Sequence, residues 1–117
     1  MATTFINTNA CVRVTLSGAE GKVAEIVNRD LCGARNVLGM LRWLGAGEGF
    51  EAEPLRDTHQ LIYLMDGRGV IRLANKDYAV ARGAGIYLGP SETAAIRSAE
   101  GASVKLLHLI VPHIPFR

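Results

Sequence analysis

Short apolar runs broken by turn-forming residues organise the chain between Gly47 and Ser98. Two short apolar runs, residues 61–65 and 86–88, each end in turn-forming residues: Asp66-Gly67-Arg68-Gly69 and Gly89-Pro90-Ser91. Between them, Val70-Ile71-Arg72-Leu73 leads into the polar turn Ala74-Asn75-Lys76-Asp77. Short strands divided by Gly, Pro, Asn and Asp predict an antiparallel sandwich or barrel. Asp66-Gly67 reads as a hairpin turn, because glycine accepts a positive φ at little steric cost. Around this centre, strands are predicted at residues 37–44, 59–65, 70–73, 78–81, 85–88, 93–98 and 104–111. Residues 50–57 are expected to be extended, since Pro54 blocks a helix and biases Glu53 away from one. Upstream, residues 5–16 read as a strand that begins loosely and alternates from Cys11, and residues 17–21 form a turn. In residues 22–28, Val23, Ile26 and Val27 also fit one face of a helix. The run is short and flanked by glycines, and the rest of the chain reads as all β, so a strand is preferred.

Several of these strands are apolar at both parities. In residues 59–65, Gln60, Ile62 and Leu64 share one face, and His59, Leu61, Tyr63 and Met65 share the other. A one-sided barrel strand shows a wet face. The pattern therefore calls for a covered outer face, buried by N-terminal strands or by a second copy of the chain. The expected organisation is one domain: residues 1–35 supply covering strands, residues 36–112 form the barrel and residues 113–117 form a tail.

The central stretch resembles the cupin family. Gly47, five residues, Glu53, Pro54, Leu55, four residues, Gln60, six residues, Gly67 keeps the spacing of the first cupin motif. Gly83, five residues, Gly89-Pro90-Ser91, two residues, Ala94, three residues, Ser98 keeps that of the second. The resemblance covers roughly residues 36–112 and implies an all-β, antiparallel double-sheet jelly-roll barrel. It also implies a homodimer, as small cupins often form. The glycines match, but the metal-binding positions of the family hold Glu53, Leu55, Gln60 and Ala94. Leu55 and Ala94 offer no ligand atom, and a transition metal needs three or four N, O or S donors. No cofactor is expected. A divalent transition metal would have to be held by Glu53, Gln60, His59 and His108.

Composition narrows the function. The chain has 117 residues, 49% of them hydrophobic, which is ample for one core. Thirteen basic and 11 acidic residues give a net charge of +2. With few aromatics and no basic run, a nucleic-acid partner is not expected. No stretch is long enough to span a membrane, and the N-terminus does not read as a signal peptide. Cys11 and Cys32 lack metal-type spacing and read as free thiols, so the protein is expected to be cytoplasmic.

The barrel register selects the candidates for chemistry. His108 falls with Val104, Leu106 and Ile110, opposite Lys105, so it faces the lumen if Lys105 faces water. It reads either as a catalytic acid or base or as a buried structural histidine. Glu53 is the second catalytic candidate, because a carboxylate in an apolar pocket suits general acid–base work; the alternative is an exposed loop position. Gln60 would orient a ligand, with Trp43, Tyr87, Leu55 and Ala94 lining the pocket. Arg42 and Arg97 are either carboxylate clamps or surface arginines. His59 has the opposite parity to Gln60 and reads as a surface or interface residue unless a bulge turns it inward. His113 lies in the tail. The resulting expectation is a metal-free barrel binding a small organic ligand, with isomerase-, cyclase- or lyase-type proton transfer within its chemical reach. The alternatives are a metal-dependent oxygenase or isomerase with a relocated ligand set, and a non-catalytic dimeric subunit or sensor.

Overall fold

The computed structural model describes residues 6–15, 21–28, 33, 36–99 and 101–112. These residues form nine strands: β1 Lys22–Val27, β2 Leu38–Leu44, β3 Gly49–Ala52, β4 His59–Asp66, β5 Arg68–Leu73, β6 Lys76–Ala81, β7 Gly85–Leu88, β8 Ala94–Ser98 and β9 Val104–Val111. The larger sheet has the order β1-β2-β9-β4-β7 and the smaller one β3-β8-β5-β6, with every pairing antiparallel. The chain passes repeatedly from one sheet to the other, which closes the two into a jelly-roll barrel.

Period-two burial builds the interior. Gln60, Ile62 and Leu64 of β4 face inward with Val104, Leu106, His108 and Ile110 of β9. Ile71, Ala94, Ile96 and Ala52 meet them from the smaller sheet. Full burial of a side chain such as Ile62 or Leu106 contributes about 2 kcal/mol relative to exposure. A second apolar cluster, Val23, Met40 and Ile110 with Leu38 and Leu55 against it, sits at the end that carries the β3–β4 loop. That loop is tied to the β7–β8 loop by Ser91 N–H donating to the Leu55 carbonyl at 2.8 Å. Leu55 is thereby held across the mouth.

Two local readings are corrected. Asp66-Gly67 is not a hairpin turn, because β4 and β5 belong to different sheets. Gly67, at φ +95°, is the corner between them. The tight hairpin is β5–β6, where Ala74 and Asn75 both take positive φ and join Leu73 to Lys76, as a type I′ turn requires. Residues 5–16 do not form a strand in the part that is described. A 3-10 turn at Thr8–Ala10 precedes a lone bridge between Val14 and Val23. Val12 there is 77% exposed, so its alternation has nothing to pack against. Residues 22–28 do give a strand, β1, which widens the larger sheet at its edge beside β2. Cys11 is a free thiol; Cys32, His113 and the rest of the tail lie outside the described residues. Among those described, no helix is long and apolar enough to cross a membrane.

Candidate functional site

Three neighbouring strands of the larger sheet carry one polar residue each on their inward face. These are Arg42 of β2, His108 of β9 and Gln60 of β4. The register makes them diagonal neighbours, since Met40 lies opposite His108, Arg42 opposite Leu106 and Gln60 opposite Ile110. They form a stripe between the main apolar core and the apolar mouth.

The stripe is a directed hydrogen-bond chain. Arg42 Nε donates to His108 Nδ1 at 3.1 Å. His108 Nε2 meets Gln60 Oε1 at 2.7 Å, and Gln60 Nε2 donates to the Glu53 carbonyl at 2.8 Å. A guanidinium can only donate, so His108 Nδ1 must accept and its proton sits on Nε2. Gln60 is oriented the same way from the other end, because its amide nitrogen is committed to a carbonyl. The imidazole is therefore neutral. Protonating it would break the Arg42 bond and place two cations side by side. Burial first, and the Arg42 charge second, push the His108 pKa down to about 4.

Phe50 of β3 closes the stripe from the smaller sheet. Its ring lies 5.7 Å from the His108 ring and 4.2 Å beneath the Arg42 guanidinium. Sequence reasoning did not mark Phe50 as a site residue. No sequence signal marks it, because its place directly across from Ile96 of β8 is set by strand register.

The predicted residues divide into three groups. Gln60 and His108 come together in the interior, 2% and 3% exposed. Leu55 and the buried Ala94 also face inward, Leu55 at the mouth and Ala94 in the main core. Glu53 is exposed, and only its backbone carbonyl reaches the stripe, so its side chain is not placed as a lumen acid. Trp43 and Tyr87 sit on the outer face of the larger sheet. Trp43 lies opposite Lys22 and Lys105, under Arg13 and Lys105, and Tyr87 is 62% exposed. Neither lines the lumen. His59 is outside as well, with Nδ1 2.5 Å from the Tyr87 hydroxyl. The bulge in β4 falls between Leu64 and Asp66, too far along the strand to turn His59 inward. Of the two arginines, Arg42 is the internal one. Arg97 is exposed and donates to the Gly47 carbonyl at 2.7 Å.

A cupin-type metal does not fit these side chains. Leu55 and Ala94 have no donor atom, Glu53 points to solvent, and the Gln60 amide is held at both ends. Both His108 nitrogens are engaged, and the adjacent Arg42 charge opposes a dication. Among the described residues, no three His, Cys, Asp or Glu gather in metal-binding geometry. A groove of about 600 Å³ lies on the other side of the smaller sheet, along Glu51, Val70, Arg72, Asp77, Ala95 and Arg97. Its cationic groups are already used, Arg72 by Asp77 at 2.8 Å and Arg97 by Gly47.

Set beside solved structures, this barrel has the fold of the cupins. It superposes on a predicted oxalate decarboxylase from Thermotoga maritima with a TM-score of 0.81, at 14% identity over 94% of this chain and 100% of the other. The polyketide cyclase RemF from Streptomyces resistomycificus gives 0.81 at 11% identity, over 97% of this chain and 82% of that one. An RmlC-like cupin from Shewanella frigidimarina gives 0.75 at 12%, over 96% and 93%. No family model and no curated protein matches the sequence. The chain has the cupin fold, with the jelly-roll topology that the cupin resemblance implied.

Proposed function

We propose that the chain is a metal-free cupin barrel that binds a small organic molecule in its lumen without transforming it. The observation that carries this reading is the Arg42–His108–Gln60 stripe, polar side chains aligned between two apolar clusters. Ligand sites have that make-up: mostly apolar walls and a few oriented polar groups. Proton transfer is disfavoured by the same geometry. The His108 lone pair at Nδ1 already accepts from Arg42, and a conjugate acid with a pKa of about 4 makes a weak base at neutral pH. The structural neighbours carry different descriptions, one of them a polyketide cyclase, so the fold alone does not select an activity.

The test is NMR of the His108 ring nitrogens during titration with a library of small organic molecules, before and after dialysis against a chelator. Saturable shifts of equal size in both samples are expected. A stoichiometric transition metal bound by Glu53, Gln60 or His108, with binding lost on its removal, would overturn the proposal.

A second copy of the chain is the partner we propose for the outer face. Leu61, Tyr63 and Tyr87 are 40%, 40% and 62% exposed there, and Val111 is 36% exposed beside them. The patch lies across adjacent strands β7, β4 and β9, and a two-fold axis would set the same residues against themselves. Light scattering is expected to give twice the chain mass for the wild type. The double variant Leu61→Lys, Tyr63→Lys should run as a monomer. A wild-type monomer at high micromolar concentration would refute the dimer.

A further inference from the structure

We propose that the lumen ligand carries a carboxylate, received edge-on by the two terminal nitrogens of Arg42, with its organic body lying against Met40, Leu55 and Ile110. This rests on the lumen-binding reading and adds the ligand's chemical class.

Arg42 is one half of an incomplete ion pair. It projects into the barrel, and burial opposes its charge. A cation withdrawn from water is normally matched by an acid. Among the described residues the ion pair present is Arg72 with Asp77, and Arg42 has no carboxylate beside it. What it does have uses little of its bonding capacity. Nε is given to His108, and one face of the guanidinium lies over Phe50. Of its five N–H donors, the four on Nη1 and Nη2 are left. Among the described residues no sealed side-chain nitrogen or oxygen lacks a partner, so these terminal groups are not sealed from water.

That remainder has a definite shape. The edge between Nη1 and Nη2 presents two parallel N–H groups in one plane, the match for a carboxylate. Phe50 and the Nε bond to His108 fix the plane, so its orientation is set before a ligand arrives. The charge count points the same way. His108 is neutral and Gln60 uncharged, so the stripe holds a single positive charge. It neutralises a monoanion and would leave a phosphate dianion half-compensated. Met40 and Ile110 lie next along the same strands, with Leu55 of the β3–β4 loop packed against them, and this apolar cluster suits a hydrocarbon or aromatic body.

The experiment uses paired probes, sodium benzoate with benzamide and sodium hexanoate with hexanamide. Binding is followed by calorimetry and by the His108 ring resonances, in wild type and in Arg42→Met. The acids are expected to bind wild type about tenfold or more tighter than their amides, as charge-assisted hydrogen bonds allow. Arg42→Met should erase that preference, so that each acid binds no tighter than its amide. Arg42→Lys, which keeps the charge but lacks the planar edge, should weaken the acids about fivefold and serves if the methionine variant does not fold. Equal affinity for acids and amides, or an acid preference that survives Arg42→Met, would overturn the carboxylate assignment and leave the lumen reading standing. If none of the four probes moves the His108 resonances while other library molecules do, the carboxylate assignment fails alone. If no molecule moves them, both proposals fail.

Discussion

Raising the pH from about 4 to about 6.5 is expected to stabilise the fold by about 3 kcal/mol through His108 alone. In the unfolded chain this histidine titrates near its ordinary value of 6.5, and in the barrel at about 4. Between those values the unfolded state holds the proton and the folded state refuses it. Acid therefore favours unfolding, and stability rises with pH across the window. Above about 6.5 the imidazole is neutral in both states and the contribution is complete; as pH falls towards 4 it is lost. Urea unfolding at half-unit pH steps measures the slope. His108→Gln supplies the comparison, because an amide there accepts from Arg42 and donates to Gln60 without titrating. The two curves should run together above about pH 6.5 and separate as the pH falls towards 4, where the wild type loses the more stability, and every other titrating group is common to both. Parallel curves would show that His108 is not buried as a neutral group.

The same residue shows how far the sequence could be followed. Parity with Leu106 and Ile110, against Lys105, places His108 inside, because a strand has only two faces. Gln60 is placed by the same logic on β4. Parity also puts Trp43 and Tyr87 on the side opposite Arg42 and Ile86, whereas aromatic character alone assigns both to the pocket. The strand pattern is the better guide, and on the outer face Trp43 is satisfied by Arg13 and Lys105 above its ring. Glu53 escapes sequence reasoning for a different reason. The cupin spacing fixes its place in the backbone, and that backbone does serve the site through its carbonyl. Side-chain direction in a loop beside Pro54 is not set by any period. Arg42 stays open in the sequence because its role depends on a diagonal neighbour 66 positions away, a relation that only strand register discloses.

The glycines are the most legible feature, and their reason is backbone geometry. Gly47, Gly67 and Gly83, which match the cupin spacing, all have positive φ. Absence of the metal ligands leaves that requirement untouched, because the corners serve the barrel and the ligands serve the chemistry. The interior can therefore hold an Arg–His–Gln chain in place of clustered imidazoles while the topology stays as it is in the structural neighbours.

Among the described glycines, Gly67→Ala should cost the most, about 4 kcal/mol. Two effects add at that corner. At φ +95° an L side chain is disfavoured by about 1–2 kcal/mol. The new Cβ would also press into the carbonyl of Ser103 and lie 3.0 Å from Val104 Cα. Neither neighbour can yield cheaply. Val104 opens β9, which is locked between β2 and β4 in the larger sheet, and Ser103 is joined to it. Forcing them apart costs roughly a further 1–3 kcal/mol, as overpacking does elsewhere. Gly83→Ala separates the two effects. Its φ is +101°, but a Cβ there meets nothing within 4 Å, so only the conformational part, about 1–2 kcal/mol, is expected. Chemical denaturation of both variants reads the difference. Gly67→Ala should be less stable than Gly83→Ala by about 2 kcal/mol, or fail to accumulate as folded protein while Gly83→Ala remains cooperative. Equal losses would mean that the β4–β5 corner is not packed against the start of β9, and the crossing that closes the barrel would need to be redrawn.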